Sequence, residues 1–162
     1  MITSNIHLSE DVYIDPTTSV NNVTIGNHVK IAKYCSIFGA SNHLLEIGDN
    51  SYIGMFSIIN GYAAKVIIGK NVSIAQRVNI MADSGPNASL LMQQYYPLIK
   101  GNVKIGDHSW LGANVVIMPG VELGEFCVVA ANSFVNKSFP PYSVIGGSPA
   151  KLIKNILDDK NK

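Results

Sequence analysis

The aliphatic residues in the last third of this chain recur at intervals of six: Ile105, Leu111, Ile117, Leu123, Val129 and Val135. A small residue directly follows several of them, as Gly106, Gly112, Gly124 and Ala130. Six is neither the 3.6-residue period of a helix nor the two-residue period of a strand, so it marks a structural repeat, and hexapeptide repeats specify a parallel β-helix. Three hexapeptides close one triangular coil of about 18 residues, with the aliphatic side chains pointing inward. Coils stack at about 4.8 Å, the spacing of neighbouring strands, so each aliphatic residue rests on its equivalents above and below. One coil buries almost nothing; the core exists only once several are stacked. Small residues suit the corners, where the backbone turns sharply and a large side chain would crowd it.

The period begins early. Leu8, Ile14 and Val20 form a first triplet, followed by Ile25, Ile31 and Ile37; by Ile47, Ile53 and Ile59; and by Ile68, Ile74 and Ile80. The irregularities fall between triplets: four extra residues around 40–44, three near 61–63, and a long insertion between Ile80 and Ile105. Breaks confined to one phase of the repeat are loops leaving one corner of a prism. The spacing therefore predicts an all-β fold, a parallel β-helix of about six coils over residues 8–138, with an inserted loop at 83–102, within a single domain over 1–162. The loop, DSGPNASLLMQQYYPLIKGN, opens on turn residues and then carries aromatic and aliphatic side chains. A loop of that length inside a compact domain is expected to have a function, either folding over a neighbouring chain or walling a cleft. The closing segment, 139–162, is expected to end in a short helix bearing Leu152, Ile153, Ile156 and Leu157, with Pro149 at its start, lying over the last coil.

Composition narrows the function classes. The chain has 162 residues, 47% of them apolar and 14% charged, which is globular, and its net charge of +1 does not suit general nucleic-acid binding. No apolar run approaches a membrane span, and the first ten residues lack the layout of a signal peptide, so a cytoplasmic protein is expected. Cys35 and Cys127 fall inside repeat segments and read as small, reduced core residues.

The segment IGDHSWLGANVVIMPGVELGEFCVVAANSFVNKSFPPYSVIGGSPAKLIK resembles the C-terminal half of the hexapeptide-repeat acyltransferases. It is most similar to the small sugar O- and N-acetyltransferases, including maltose and galactoside acetyltransferases and those that decorate surface polysaccharides. The resemblance implies a left-handed coil, a homotrimer, and acetyl-CoA lying in the groove between adjacent prisms, with no metal. The acceptor it implies is a sugar or nucleotide-sugar. Beside that picture, Gly112, Ala113, Ala130, Ala131 and Ser133 are small residues that would let a pantetheine arm approach the backbone. Lys137, Lys151 and Lys154 stand where the family places cations near the phosphates. Trp110, the single tryptophan, follows the family's Gly-Asp-x-x-Trp-x-Gly pattern. It either flanks the thioester arm or faces outward at a trimer contact.

Acetyl transfer to a hydroxyl needs a base for the acceptor proton. The family's usual histidine should follow the coil VSIAQRVNI, but the chain there reads MADSGPN, and no histidine occurs between His43 and His108. Asp83 is the first candidate for the base and His43 the second, with His108 on a repeat corner weighed beside them. Asp83 opens the long loop, with Ser84 or Asn87 holding the acceptor; His43 sits in an earlier insertion. A third reading needs no strong base, because an amine acceptor attacks in its free form. Asn60, Asn79, Tyr95 and Tyr96 are further acceptor-binding candidates. Three other functions fit the same prism less well. A zinc hydratase would need three histidines at a spacing that His7, His28, His43 and His108 do not offer. A trimeric scaffold would have lost the base, and a xenobiotic acetyltransferase would modify an antibiotic.

Overall fold

The computed structural model describes residues 4–161 and shows six stacked coils, each built from three short strands. The strands stack into three parallel faces. The first face contains Ile6–Leu8, Val23–Ile25, Leu45–Ile47, Val66–Ile68, Val103–Ile105 and Glu122–Leu123. The second contains Tyr13–Ile14, Lys30–Ile31, Tyr52–Ile53, Ser73–Ile74, Trp110–Leu111 and Val128–Val129, and then Ser143–Gly147 and Ala150–Asn155. The third contains Ser19–Asn21, Ser36–Phe38, Ile58–Asn60, Asn79–Met81, Val116–Ile117 and Phe134–Val135.

The triplets read from the sequence are the inward columns, residue for residue. On the second face Ile14, Ile31, Ile53, Ile74, Leu111 and Val129 are direct partners in successive coils. The column then continues to Ile145, which lies over Val129, and on the first face Phe139 bridges to Leu123. Both are buried, so a partial seventh coil tops the prism. Ile74 is fully buried between Ile53 and Leu111. Truncation to Ala should cost about 2–5 kcal/mol, the range for a large core side chain that leaves a cavity. Leu8 occupies the same inward phase in the first coil but is 52% exposed, so Leu8→Ala should cost far less. Urea unfolding of the two variants checks this, and equal losses would contradict the stacked-core account.

The glycines after the aliphatic residues are explained by the coil above. A side chain at Gly48 would place its first carbon 2.6 Å from the backbone carbonyl of Gly69. Two residues further on, the corner itself uses the left-handed backbone region, and here the residues are not glycine. Asn22, Asn50, Asn71, Asn114 and Asn132 adopt it, which Asn tolerates, but so do Tyr34, Phe56, Arg77, Phe126 and Tyr142. Their side chains meet those of neighbouring coils in outward ladders: His108, Phe126 and Tyr142 stack in turn with ring centroids 4.6 and 5.1 Å apart.

Two expectations need correction. The end of the chain is not a helix from Pro149. Ser143–Gly147 and Ala150–Asn155 form an antiparallel hairpin, and only Ile156–Asn161 is helical, as a 3₁₀ turn. Gly147, at φ 104°, makes the tight turn, and the returning strand satisfies the open edge of the second face, which a helix would have left unpaired. Leu152 and Ile153 are exposed on this strand rather than laid over the last coil. The long insertion is also more ordered than a loop: Asp83–Ser84 pairs antiparallel with Ile99–Lys100, and Leu90–Gln93 forms a helical turn capped by the Ser89 hydroxyl.

Cys35 and Cys127 are free and buried, and burial pushes both thiols above their ordinary value. No helix of the described residues is long and apolar enough to cross a membrane.

Candidate functional site

All three insertions leave the prism at the corner between the third face and the first. Asp83 stands at the root of the longest, held by the coil below. The Asn60 amide donates to Asp83 Oδ1 at 3.0 Å, and Asn60 Oδ1 accepts the Tyr62 backbone N–H, also at 3.0 Å. The second bond fixes which end of the amide faces the carboxylate: the NH₂ must point at Asp83. The structure thus joins Asn60 and Asp83, two residues the sequence offered separately. Asp83 and Ser84 are both half-buried.

His43 is not part of this pair. It closes a tight turn by bridging to Ala40, and its half-buried ring carries an Nδ1 without a partner among the described residues. Its insertion leaves two coils below that of Asp83, a rise of about 10 Å. Asn79 lies on the outer side of the third face between Ile58 and Val116, and its Oδ1 is likewise buried and unpaired. Beyond Ser84, the insertion turns outward. Asn87 is exposed, as are Tyr95, Tyr96, Leu90 and Leu91, the last four each more than two-thirds accessible.

The small residues occupy a different edge. Gly112 and Ala113, and Ala130 and Ala131 one coil above, sit at the corner between the second face and the third. A side chain on Gly112 would come within 2.6 Å of the Ala131 backbone nitrogen, so that glycine is required by packing. Ala130 and Ala131 are open to solvent and Ala113 is half-buried. Ser133 is buried, and its hydroxyl donates to the Ala130 carbonyl at 2.6 Å and accepts the Gly147 N–H at 3.2 Å. That side chain pins the terminal hairpin to the corner.

Lys151 pairs with Gly146 at the top of this corner, and Lys154 lies further along the same strand. Lys137 belongs to the other edge, on the Asp83 side, with its ammonium 5.4 Å from the Phe139 ring centre. Trp110 projects from the second face just ahead of Gly112, between Ser73 and Val128, and is 56% exposed. A larger groove of about 660 Å³ runs along the first face past Lys104, Asp107, Glu122 and Phe139, but it holds none of these residues.

One group of residues escaped the sequence reading. Tyr52, Met55, Phe56, Gln76, Arg77 and Asn114 line an open cavity of about 500 Å³ at the second-to-third corner, directly below Gly112 and Ala113. The repeat register carries a signal for three of them: Phe56, Arg77 and Asn114 each fall three residues after an inward aliphatic, at the corner position that turns outward.

Comparison with known proteins agrees with this architecture. Residues 102–137 match the family model described as bacterial transferase hexapeptide (six repeats). The galactoside O-acetyltransferase of Escherichia coli (strain K12) is 35% identical over a stretch covering 70% of this chain and 55% of its own length. A probable macrolide acetyltransferase of Lysinibacillus sphaericus is 38% identical over 59% of this chain and 63% of its own. Among solved structures, the N-acyltransferase AntD from Bacillus cereus was determined as a mutant in complex with dTDP-4-amino-4,6-dideoxyglucose and coenzyme A. It matches with a TM-score of 0.82 at 25% identity, covering 99% of this chain and 90% of that one. The chain spans 63% and 55% of the macrolide and galactoside relatives' own lengths, and between 50% and 74% across four curated relatives. Repeat and fold define a hexapeptide-repeat β-solenoid. The chain carries the repeat of the bacterial hexapeptide transferases over residues 102–137 and is similar along its length to hexapeptide-repeat acyltransferases.

Proposed function

We propose that this protein transfers the acetyl group of acetyl-CoA to a hydroxyl or amine of a sugar, in the cytoplasm, as a step in surface polysaccharide or nucleotide-sugar synthesis. The acceptor oxygen or nitrogen attacks the thioester carbonyl, the carbon–sulfur bond breaks, and the acceptor's proton passes through Asp83 to the departing thiolate of CoA. Asn60 holds the carboxylate for that step, and Asn79, Ser84, Asn87, Tyr95 and Tyr96 are the residues offered to the acceptor. Relatives named for galactoside, macrolide and amino-sugar chemistry support acyl transfer while differing in acceptor.

The observation that carries the reading is the separation of the two edges. The accessible small residues and Lys151 stand at one corner of the third face, and Asp83 and Lys137 at the other. A face of this width spans on the order of 10–15 Å. Placing one prism's small-residue corner against its neighbour's Asp83 corner brings the two halves together. Three prisms arranged cyclically form three such sites, which is the homotrimer. The exposed Leu90, Leu91, Tyr95 and Tyr96 then have a surface to cover.

Acetyl-CoA at 100 times its dissociation constant should stabilise the protein by about 2.7 kcal/mol. A thermal melt with and without millimolar acetyl-CoA, alongside free CoA, reads this directly. The absence of any shift would overturn the reading, and a shift leads to a screen of sugar and antibiotic acceptors.

A further inference from the structure

We propose that the cavity below Gly112 and Ala113 holds the nucleoside diphosphate of an activated sugar, so that the acceptor is a nucleotide-linked sugar rather than a free one. This rests on the acetyl-transfer reading and names its substrate class.

The lining has the chemistry of a flat ring joined to an anion. Phe56 and Tyr52 present exposed aromatic surface, and Tyr34 backs Phe56 with its ring centroid 5.2 Å away and nearly parallel. Every nucleobase has a face that stacks on such a platform. Arg77 is the single arginine in the chain. Its planar fork of donors matches phosphate oxygens two at a time, and no carboxylate lines the cavity to compete for it. Gln76 and Asn114 add amide donors and acceptors at the rim.

The corner ladder sets Arg77 apart. Tyr34, Phe56, Arg77, Asn114 and Asn132 occupy the same outward position in five successive coils, all in the left-handed region. The two lower members stack on each other, and the two upper ones are joined by an Asn114 to Asn132 hydrogen bond of 3.0 Å. Arg77 lies between the pairs and makes no side-chain hydrogen bond or ion pair with any described residue. Holding a bulky residue in this backbone region is unfavourable where Asn would fit at less cost.

Position completes the argument. Asn114 belongs to both the cavity and the corner of Gly112 and Ala113. A CoA arm descending that corner from Lys151 brings its acetyl end to the coil of Asn114. A nucleotide anchored at Phe56 and Arg77 directs its sugar upward to the same level, one or two coil spacings of about 4.8 Å above.

The test uses the assembled full-length protein with dTDP, UDP and inorganic pyrophosphate as probes, measured by calorimetry at saturating CoA so that none can occupy the CoA site. A nucleoside diphosphate should bind, and pyrophosphate should bind more weakly. Arg77→Ala should weaken nucleotide binding by about tenfold or more, as loss of a charged fork on phosphate does, and Phe56→Ala by several-fold. Both variants should bind acetyl-CoA as wild type does, which also shows that they are folded. Failure of both nucleotides to bind a protein that does bind acetyl-CoA overturns this inference and leaves acetyl transfer standing. Unchanged nucleotide affinity in Arg77→Ala, or pyrophosphate binding as tightly as dTDP, also overturns it. Nucleotide binding without acetyl-CoA binding would support the cavity and overturn the transferase reading instead.

Discussion

Asp83→Asn should lower acetyl transfer by about 10²–10⁴-fold, the range for removing a positioned general base, while acetyl-CoA still binds. The variant isolates the proton-accepting role. Asparagine has the shape of aspartate, and its carbonyl oxygen still accepts from the Asn60 amide at the place where Asp83 Oδ1 now does. What it lacks is a carboxylate able to take the acceptor's proton. Steady-state kinetics on an accepted sugar, with His43→Ala measured beside it, assigns the base. A variant retaining transfer within about threefold of wild type, less than one typical acid–base contribution, removes Asp83 from the role. A large loss in His43→Ala alone would move the role to the histidine two coils below.

The core was legible because it depends on a single spacing. Ile25, Ile47, Ile68 and Ile105 are partners in the structure as they are in the count of six, since an inward position in a coil must recur at the same phase. The same rule extends to Phe139 and Ile145, which are six residues apart and buried. Pro140, Pro141 and the Gly146–Gly147 pair disguised that partial coil as an irregular ending. The final hairpin was misread as a helix because Leu152, Ile153, Ile156 and Leu157 satisfy a helical pattern locally. The decisive fact was the unpaired edge of Ser143–Gly147, which only the stacked structure presents.

The site was legible in its parts and not in its contacts. Asn60 and Asp83 were both visible as candidates, but their hydrogen bond links a strand end to the root of an insertion one coil above. No short-range pattern encodes a contact across 23 positions. Ser133 shows the converse. It looked like an open groove residue because it is small, yet its hydroxyl is consumed by Ala130 and Gly147. Arg77 was passed over because a lone arginine has no motif. Its significance comes from standing in a column with Phe56 below and Asn114 above.

Mixing two inactive variants should restore activity, and by an amount that geometry sets. Asp83→Asn removes the proposed base from one corner; Ala131→Trp blocks the proposed CoA corner, where Ala131 is exposed and a large side chain can be carried without entering the core. Each variant alone should be nearly inactive. In a cyclic trimer each site takes one corner from each of two neighbours. A site is then whole whenever an Asp83→Asn chain supplies the small-residue corner and an Ala131→Trp chain supplies the aspartate. Random assembly from equal amounts produces that arrangement at about one site in four. Co-expression with two different tags, followed by isolation of trimers carrying both, enriches the mixed species, and activity per trimer should rise accordingly from the near-zero level of either parent. A site contained within one chain behaves otherwise: every chain in the mixture carries one defect, so no arrangement restores a complete site. Recovery therefore locates the chemistry between prisms. Its absence in trimers that bind acetyl-CoA would require one chain to join Ala131 and Asp83 across the whole third face, which the separation of the two corners opposes.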